Sequence, residues 1–127
     1  ETHLVESDSR KSAFLREVIR QTGAPAEIHT ERAETLIPWT TDIVMARAMA
    51  PLPKLLNYAR PFLEASNGPD APTCLFPKGE NWREELTEAE KSWHIQCQDV
   101  VSVTDPAGRI LIIRNPTPKL SGESSIR

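Results

Sequence analysis

Charged residues follow four short apolar runs of this sequence. They are Glu6, the segment Arg32-Ala33-Glu34, Arg47 and Lys78. If the runs are parallel strands of an open α/β sheet, these residues meet at the edge where such sheets bind ligands. An acidic side chain at that edge, such as Glu6, can accept hydrogen bonds from the two hydroxyl groups of a ribose. The spacing therefore predicts a ligand site built from strand ends.

Two of these residues also have a purely structural interpretation. Glu6 precedes a predicted helix, and the dipole of that helix favours a carboxylate at this end. Arg47 could pair with Asp42 or Glu34, although the alanines on both of its sides leave room for a ligand. Four charged strand ends in succession favour a ligand site over four separate coincidences.

Several common catalytic patterns are missing from the sequence. The five glycines are never closer than eleven residues apart, which excludes a Gly-rich phosphate loop among them. No serine lies in a Gly-x-Ser-x-Gly elbow, and no other nucleophile–base pair stands out. The histidines, His3, His29 and His94, are far apart in sequence, so we expect no metal site.

The composition is that of an ordinary globular chain, with 39% hydrophobic and 26% charged residues among 127. The longest apolar runs have four residues, far short of the roughly 18 that a membrane span needs. A net charge of -3 excludes a strongly basic, non-specific nucleic-acid binder but permits a local basic face. Cys74 and Cys97 fit no C-x-x-C pattern and suit small buried side chains in a reducing compartment such as the cytoplasm.

Strand and helix patterns alternate along the chain and end in a hairpin. We predict parallel strands near 3–5, 27–30, 43–46 and 73–76, the third of them buried on both faces. Helices are predicted from Ser9 to Gly23, from Pro51 to a closing Pro61, and over Glu80–Trp93. An antiparallel hairpin follows at 100–113, around the turn Asp105–Gly108. The sequence thus predicts an α/β domain over residues 1–116, followed by a polar tail at 117–127.

Four stretches of the chain together form a recognisable pattern: His3–Val18, Arg32–Glu34, Ala-Arg-Ala-Met-Ala-Pro-Leu at 46–52, and Lys78-Gly79. They resemble the glucose-inhibited division protein B family, the bacterial 16S ribosomal RNA guanine-N7 methyltransferases. The resemblance covers about residues 1–115, and the block at 46–52 is its sharpest part. The hairpin segments Thr104–Pro106 and Ile113–Pro116 are similar to those of alphaproteobacterial members.

The resemblance implies a Rossmann-like fold with a mostly parallel sheet. It also implies an enzyme that uses S-adenosylmethionine to methylate a guanine of 16S ribosomal RNA at N7. Glu6 would then hold the ribose hydroxyls, and Ala33 with Glu34 would border the adenine. Arg47 would lie at the cofactor and guanine end as the catalytic residue, while Arg32 and Lys78 would face RNA phosphates. Guanine N7 has a free lone pair, so this methyl transfer needs alignment but no general base.

Family members carry a first strand and a Gly-rich loop that this sequence does not contain. We therefore expect the chain to correspond to the C-terminal portion of such an enzyme, whether the sequence is trimmed or a true fragment. The alternative is a non-catalytic fragment or interaction module that pairs with a partner chain or with itself. In the absence of a neighbouring strand, the isolated chain is expected to self-associate through exposed sheet edges.

Overall fold

The first of two structural units, residues 1–37, contains a parallel strand pair and one helix. The computed structural model describes residues 1–47, 50–66 and 70–120. Strand β1 (Thr2–Val5) leads into helix α1 (Ser9–Thr22), which is followed by strand β2 (Ala26–His29). The two strands pair in parallel, with Thr2 opposite Ala26 and Val5 opposite His29. A single 3-10 turn follows at Ala33–Thr35.

Helix α1 begins and ends where its sequence predicts. The Asp8 side chain caps it by accepting hydrogen bonds from the backbone N–H groups of Arg10 and Lys11. Gly23 ends it in the left-handed conformation, with φ 69°, which glycine adopts without a Cβ penalty.

The second unit begins at Pro38, and its described residues form a four-stranded sheet and two α-helices. In chain order it consists of β3 (Ile43–Met45), α2 (Leu52–Ala65), β4 (Thr73–Lys78), α3 (Trp82–Glu90), β5 (Trp93–Val101) and β6 (Arg109–Pro118). The strand order is β3-β4-β6-β5. The β3–β4 pair is parallel, whereas β6 is antiparallel to both β4 and β5.

The predicted α/β class, with parallel strands and a closing antiparallel hairpin, is confirmed. Antiparallel pairing has a larger share than expected, since β6 pairs with strands on both of its sides. No helix among the described residues is long and apolar enough to cross a membrane. Strand β6 continues through Thr117 and Pro118, so the predicted polar tail begins later than residue 117. Its remainder at 121–127 lies outside the described residues.

The core of the second unit is formed by α2 packed against the sheet. One stripe of α2 is fully buried, and it consists of Leu52, Leu55, Leu56 and Ala59. Cys74, Phe76, Leu111 and Ile113 meet this stripe from the sheet with no exposed area. At roughly 25 cal/mol per Å² of apolar surface, this burial is the main stabilising contribution to the unit.

Three predictions about element boundaries and burial were wrong. Strand β3 is not buried on both faces, because Ile43 is 50% and Met45 68% exposed at the edge of the described sheet. Pro61 does not close α2, because the helix continues and buries Phe62 and Leu63. Trp93 is not helical but begins β5, where it is 3% exposed.

The interpretation of the cysteines as buried, unpaired side chains is largely confirmed. Cys74 on β4 and Cys97 on β5 both lie opposite Ile113 of the intervening strand β6. They are thus two strands apart, beyond the reach of a disulfide, and both are free thiols. Cys74 is buried, whereas Cys97 is partly exposed.

Candidate functional site

The first unit places two of the predicted site segments past the same end of its strands. Because β1 and β2 run in parallel with Val5 opposite His29, Glu6 and the turn at 32–34 both follow carboxyl strand ends. Both segments therefore come after the carboxyl edge of this strand pair. Ligands of open α/β sheets bind at this kind of edge.

Glu6 is fixed by three hydrogen bonds of its own backbone and side chain. Its N–H donates to the carbonyl of His29 (3.0 Å), and its carbonyl accepts from the hydroxyl of Ser12 (3.2 Å). Its Oε2 accepts from the N–H of Asp8 (3.0 Å), the residue that caps α1. A carboxylate has about four acceptor sites, so this arrangement orients the group and leaves capacity for donors such as ribose hydroxyls. Ser12, which is wholly buried, anchors this corner.

The turn after β2 combines a small side chain with two charged ones. Ala33 is half-buried, whereas Arg32 and Glu34 are exposed. The Arg32 Nη1 lies 3.9 Å from the Glu34 Oε2, and their side chains are 77% and 48% exposed. An ion pair this exposed is weak, so the Arg32 guanidinium is readily available to another anion.

Arg47 follows β3 in the second unit, and its side chain is exposed. The structural alternative of a pair with Asp42 is not realised, since no ion pair joins these two described residues. The backbone carbonyl of Asp42 accepts a hydrogen bond from the N–H of Thr73 on β4 (2.9 Å). The predicted flank Ala48 lies outside the described residues.

Lys78, at the end of β4, is held inside the second unit. Its Nζ lies 2.8 Å from the Glu85 Oε1 and 2.9 Å from the carbonyl of Ala50, and its side chain is 6% exposed. The same glutamate oxygen accepts the N–H of Leu52 (2.9 Å), the first residue of α2. This geometry gives the ammonium a structural role that the resemblance did not imply. It ties the ends of β4, α2 and α3 together, with its charge balanced by a carboxylate rather than offered to a phosphate.

The two thiols are poor candidates for nucleophiles. Burial raises the pKa of Cys74 to about 12, and burial together with the Asp99 and Glu90 carboxylates also raises the pKa of Cys97. The reactive species of cysteine is the thiolate, which is therefore scarce at neutral pH. A reaction that needs no protein nucleophile agrees with this pattern.

Sequence reasoning missed a polar cluster on the parallel strand pair. His3, Glu27 and His29 bring one potential ligand atom each to within 4.8 Å of one another. His3 and His29 are 26 residues apart, so their proximity depends on the strand register. The alternation Glu27-x-His29 within a predicted strand was the available signal, since such residues share one face.

The family model and the curated relatives that match this chain carry the same description and cover most of its length. The model of the family described as rRNA small subunit methyltransferase G matches residues 1–112. A ribosomal RNA small subunit methyltransferase G from Rhodospirillum centenum is 46% identical over 119 residues, which cover 94% of this chain and 53% of the relative. Relatives of the same name from Paramagnetospirillum magneticum and Parvibaculum lavamentivorans are 48% and 45% identical over 114 residues. These matches cover 90% and 88% of this chain, and 53% and 48% of the respective relatives.

The chain thus spans about half the length of the curated relatives that it matches. The resemblance seen in the segments at 3–18, 32–34, 46–52 and 78–79 is confirmed, because all of them lie within the matched residues. Its alphaproteobacterial character is confirmed by the sources of these relatives. The chain therefore belongs to the rRNA small subunit methyltransferase G family.

Proposed function

We propose that this chain forms part of an S-adenosylmethionine-dependent enzyme that methylates N7 of a guanine in 16S ribosomal RNA. The observation that carries the proposal is the carboxylate of Glu6 at a carboxyl strand end, in a chain that belongs to a methyltransferase family. Its carboxylate follows a parallel strand and is oriented by the N–H of Asp8. The turn at 32–34 follows the other strand of the same parallel pair.

The residues of the first unit fit the nucleoside part of such a cofactor. The Glu6 carboxylate accepts hydrogen bonds from donors, which suits the two hydroxyls of a ribose. Ala33 offers a small, half-buried side chain on which a flat base can rest, with Glu34 beside it. When bound, S-adenosylmethionine supplies the electrophilic methyl group. The protein then needs to hold the reacting atoms in line, and good alignment can replace a catalytic base.

The RNA side of the proposal rests on exposed cations. Arg47 is exposed after β3. It is proposed to be the catalytic residue, at the end of the site where the cofactor and the guanine meet. Arg32 is 77% exposed after β2 and is proposed to contact phosphate. Unpaired bases of structured RNA can be splayed out and held individually, which gives access to N7. Lys78 was also expected to face RNA phosphate, but its buried pair with Glu85 supports a structural role instead.

The proposal can be tested in a chimera that carries this chain in place of the matching segment of the Rhodospirillum centenum relative. We expect Glu6→Ala to weaken S-adenosylmethionine binding by about 1–3 kcal/mol, the scale of a hydrogen bond to a charged group. Calorimetry measures this affinity directly. Glu17→Ala is the matched control, because Glu17 is a carboxylate on the exposed face of α1. Equal affinities in both variants would remove the ribose assignment.

The second half of the experiment separates chemistry from binding. Arg47→Ala should lower the methylation rate of small-subunit RNA more than it lowers RNA affinity. A chimera that binds neither the cofactor nor RNA, although it is folded, would favour the alternative of a non-catalytic interaction module. Methylation at a position other than guanine N7 would keep the enzyme class and overturn the proposed target atom.

A further inference from the structure

A histidine pair and a glutamate converge on one face of the β1–β2 strand pair. In the parallel register, His3 lies opposite Glu27, and Val5 lies opposite His29. The Nδ1 of His3 is 2.9 Å from the Nε2 of His29 and 3.6 Å from the Glu27 Oε2. The two imidazole rings are stacked, with centroids 5.1 Å apart.

We propose that His3, Glu27 and His29 bind a divalent transition metal of the zinc class. Imidazole nitrogen and carboxylate oxygen are ordinary zinc ligands. With zinc–nitrogen bonds of 2.0–2.1 Å, two ligand atoms of a tetrahedral ion lie about 3.3 Å apart. The separations of 2.9 and 3.6 Å bracket this value, and all three ligand atoms lie within 4.8 Å of one another, so rotations of the side chains can close them around an ion.

A fourth residue orients the His3 ring for this role. The Nε2 of His3 lies 3.0 Å from the Glu1 Oε1. A neutral His3 that donates its Nε2–H to this carboxylate presents the lone pair of Nδ1 to the cluster. Carboxylates that hold the far nitrogen of a metal-binding histidine recur in zinc sites, where they fix the tautomer. His29 then needs only to carry its proton on Nδ1 for its Nε2 to bind the ion.

The exposure of the cluster indicates a site with an open coordination position. The side chain of His3 is 18% exposed, whereas that of Glu27 is 61% exposed. Three protein ligands with water in the fourth position would complete a tetrahedral ion. Such an ion would cross-link β1 to β2 beside the bond from the Glu6 N–H to the His29 carbonyl.

Cobalt titration of the purified, metal-free chain tests the proposal. Added Co²⁺ should produce the intense visible absorption of a tetrahedral site, and Zn²⁺ should displace it, since zinc binds such ligands more tightly. We expect His29→Gln and His3→Gln each to weaken Co²⁺ binding by about 10–100-fold, at least the loss that outer-shell changes cause. Glu1→Gln should weaken it by about tenfold through the orientation of His3.

His94→Gln is the matched control, because His94 is an exposed histidine on β5 in the second unit. Its affinity for Co²⁺ should equal that of the unchanged chain. Far-UV circular dichroism of the metal-free variants separates loss of the site from loss of the fold. Absence of saturable binding by the folded chain would overturn the proposal, as would binding that survives in a His3→Gln/His29→Gln double variant.

Discussion

At the residue scale, Lys78 shows how a buried partner changes the role of a charged side chain. Its position after a strand suggested a phosphate ligand, yet its ammonium contacts Glu85 and the carbonyl of Ala50. The sequence places Lys78 at a strand end, but the packing of α3 decides whether Glu85 reaches it. Glu6 differs because its neighbours Asp8 and Ser12 are close in sequence, so its position could be predicted from the chain.

Breaking the Lys78 pair should destabilise the second unit. Lys78→Met leaves a partly buried carboxylate without its counter-charge, and we expect the free energy of unfolding to fall by about 3–5 kcal/mol. Lys91→Met is the control, since the Lys91–Glu88 pair is 60% and 63% exposed and should contribute less than about 1 kcal/mol. Urea denaturation measures both values. Adding Glu85→Gln to Lys78→Met should restore part of the loss. Equal losses in Lys78→Met and Lys91→Met would contradict a stabilising role of the Lys78–Glu85 pair.

At the element scale, the sequence predicted most of the strands and helices but placed several of their ends wrongly. The caps of α1 are local, so Asp8 and Gly23 could be identified directly. The continuation of α2 through Pro61 depends on the burial of Phe62 and Leu63, a tertiary contribution that offsets the roughly 3 kcal/mol cost of an interior proline. The exposure of β3 likewise depends on its position in the sheet, which periodicity alone does not reveal.

The turn of the β5–β6 hairpin requires glycine at residue 108. A Cβ at Gly108 would lie 2.9 Å from the carbonyl oxygen of Lys78 and 3.0 Å from the Asp105 Oδ2. We expect Gly108→Ala to lower the free energy of unfolding by about 1–3 kcal/mol, as overpacking usually does. At Gly79 a Cβ would meet nothing within 4 Å, so Gly79→Ala should change stability by less than about 0.5 kcal/mol. Thermal or urea unfolding that ranks the two variants equally would contradict this account.

At the scale of the whole molecule, the charge distribution limits how the chain can meet RNA. The net charge is -3, so phosphates are expected to contact a local basic face formed by Arg10, Lys11 and Arg32 of the first unit. Three such contacts predict a slope of about -2 to -3 for the logarithm of the binding constant against that of the salt concentration. Filter binding of structured ribosomal RNA at several salt concentrations measures the slope. Arg32→Ala should make it shallower by about 1, and equal affinity for any polyanion would argue against specific recognition.

The exposed edge of the second unit predicts how the isolated chain behaves in solution. Among the described residues β3 pairs only with β4, and it exposes the apolar side chains of Ile43 and Met45. An apolar edge with unpaired backbone groups is a template for association with another strand. We expect the 127-residue chain to self-associate as its concentration rises, which sedimentation velocity measures. Met45→Lys should reduce this association, because charged residues on an edge strand oppose strand pairing. Val103→Lys, at a fully exposed position in the hairpin turn, should leave it unchanged. A chain that stays monomeric at every concentration would show that this edge is protected and that the alternative of pairing through it is wrong.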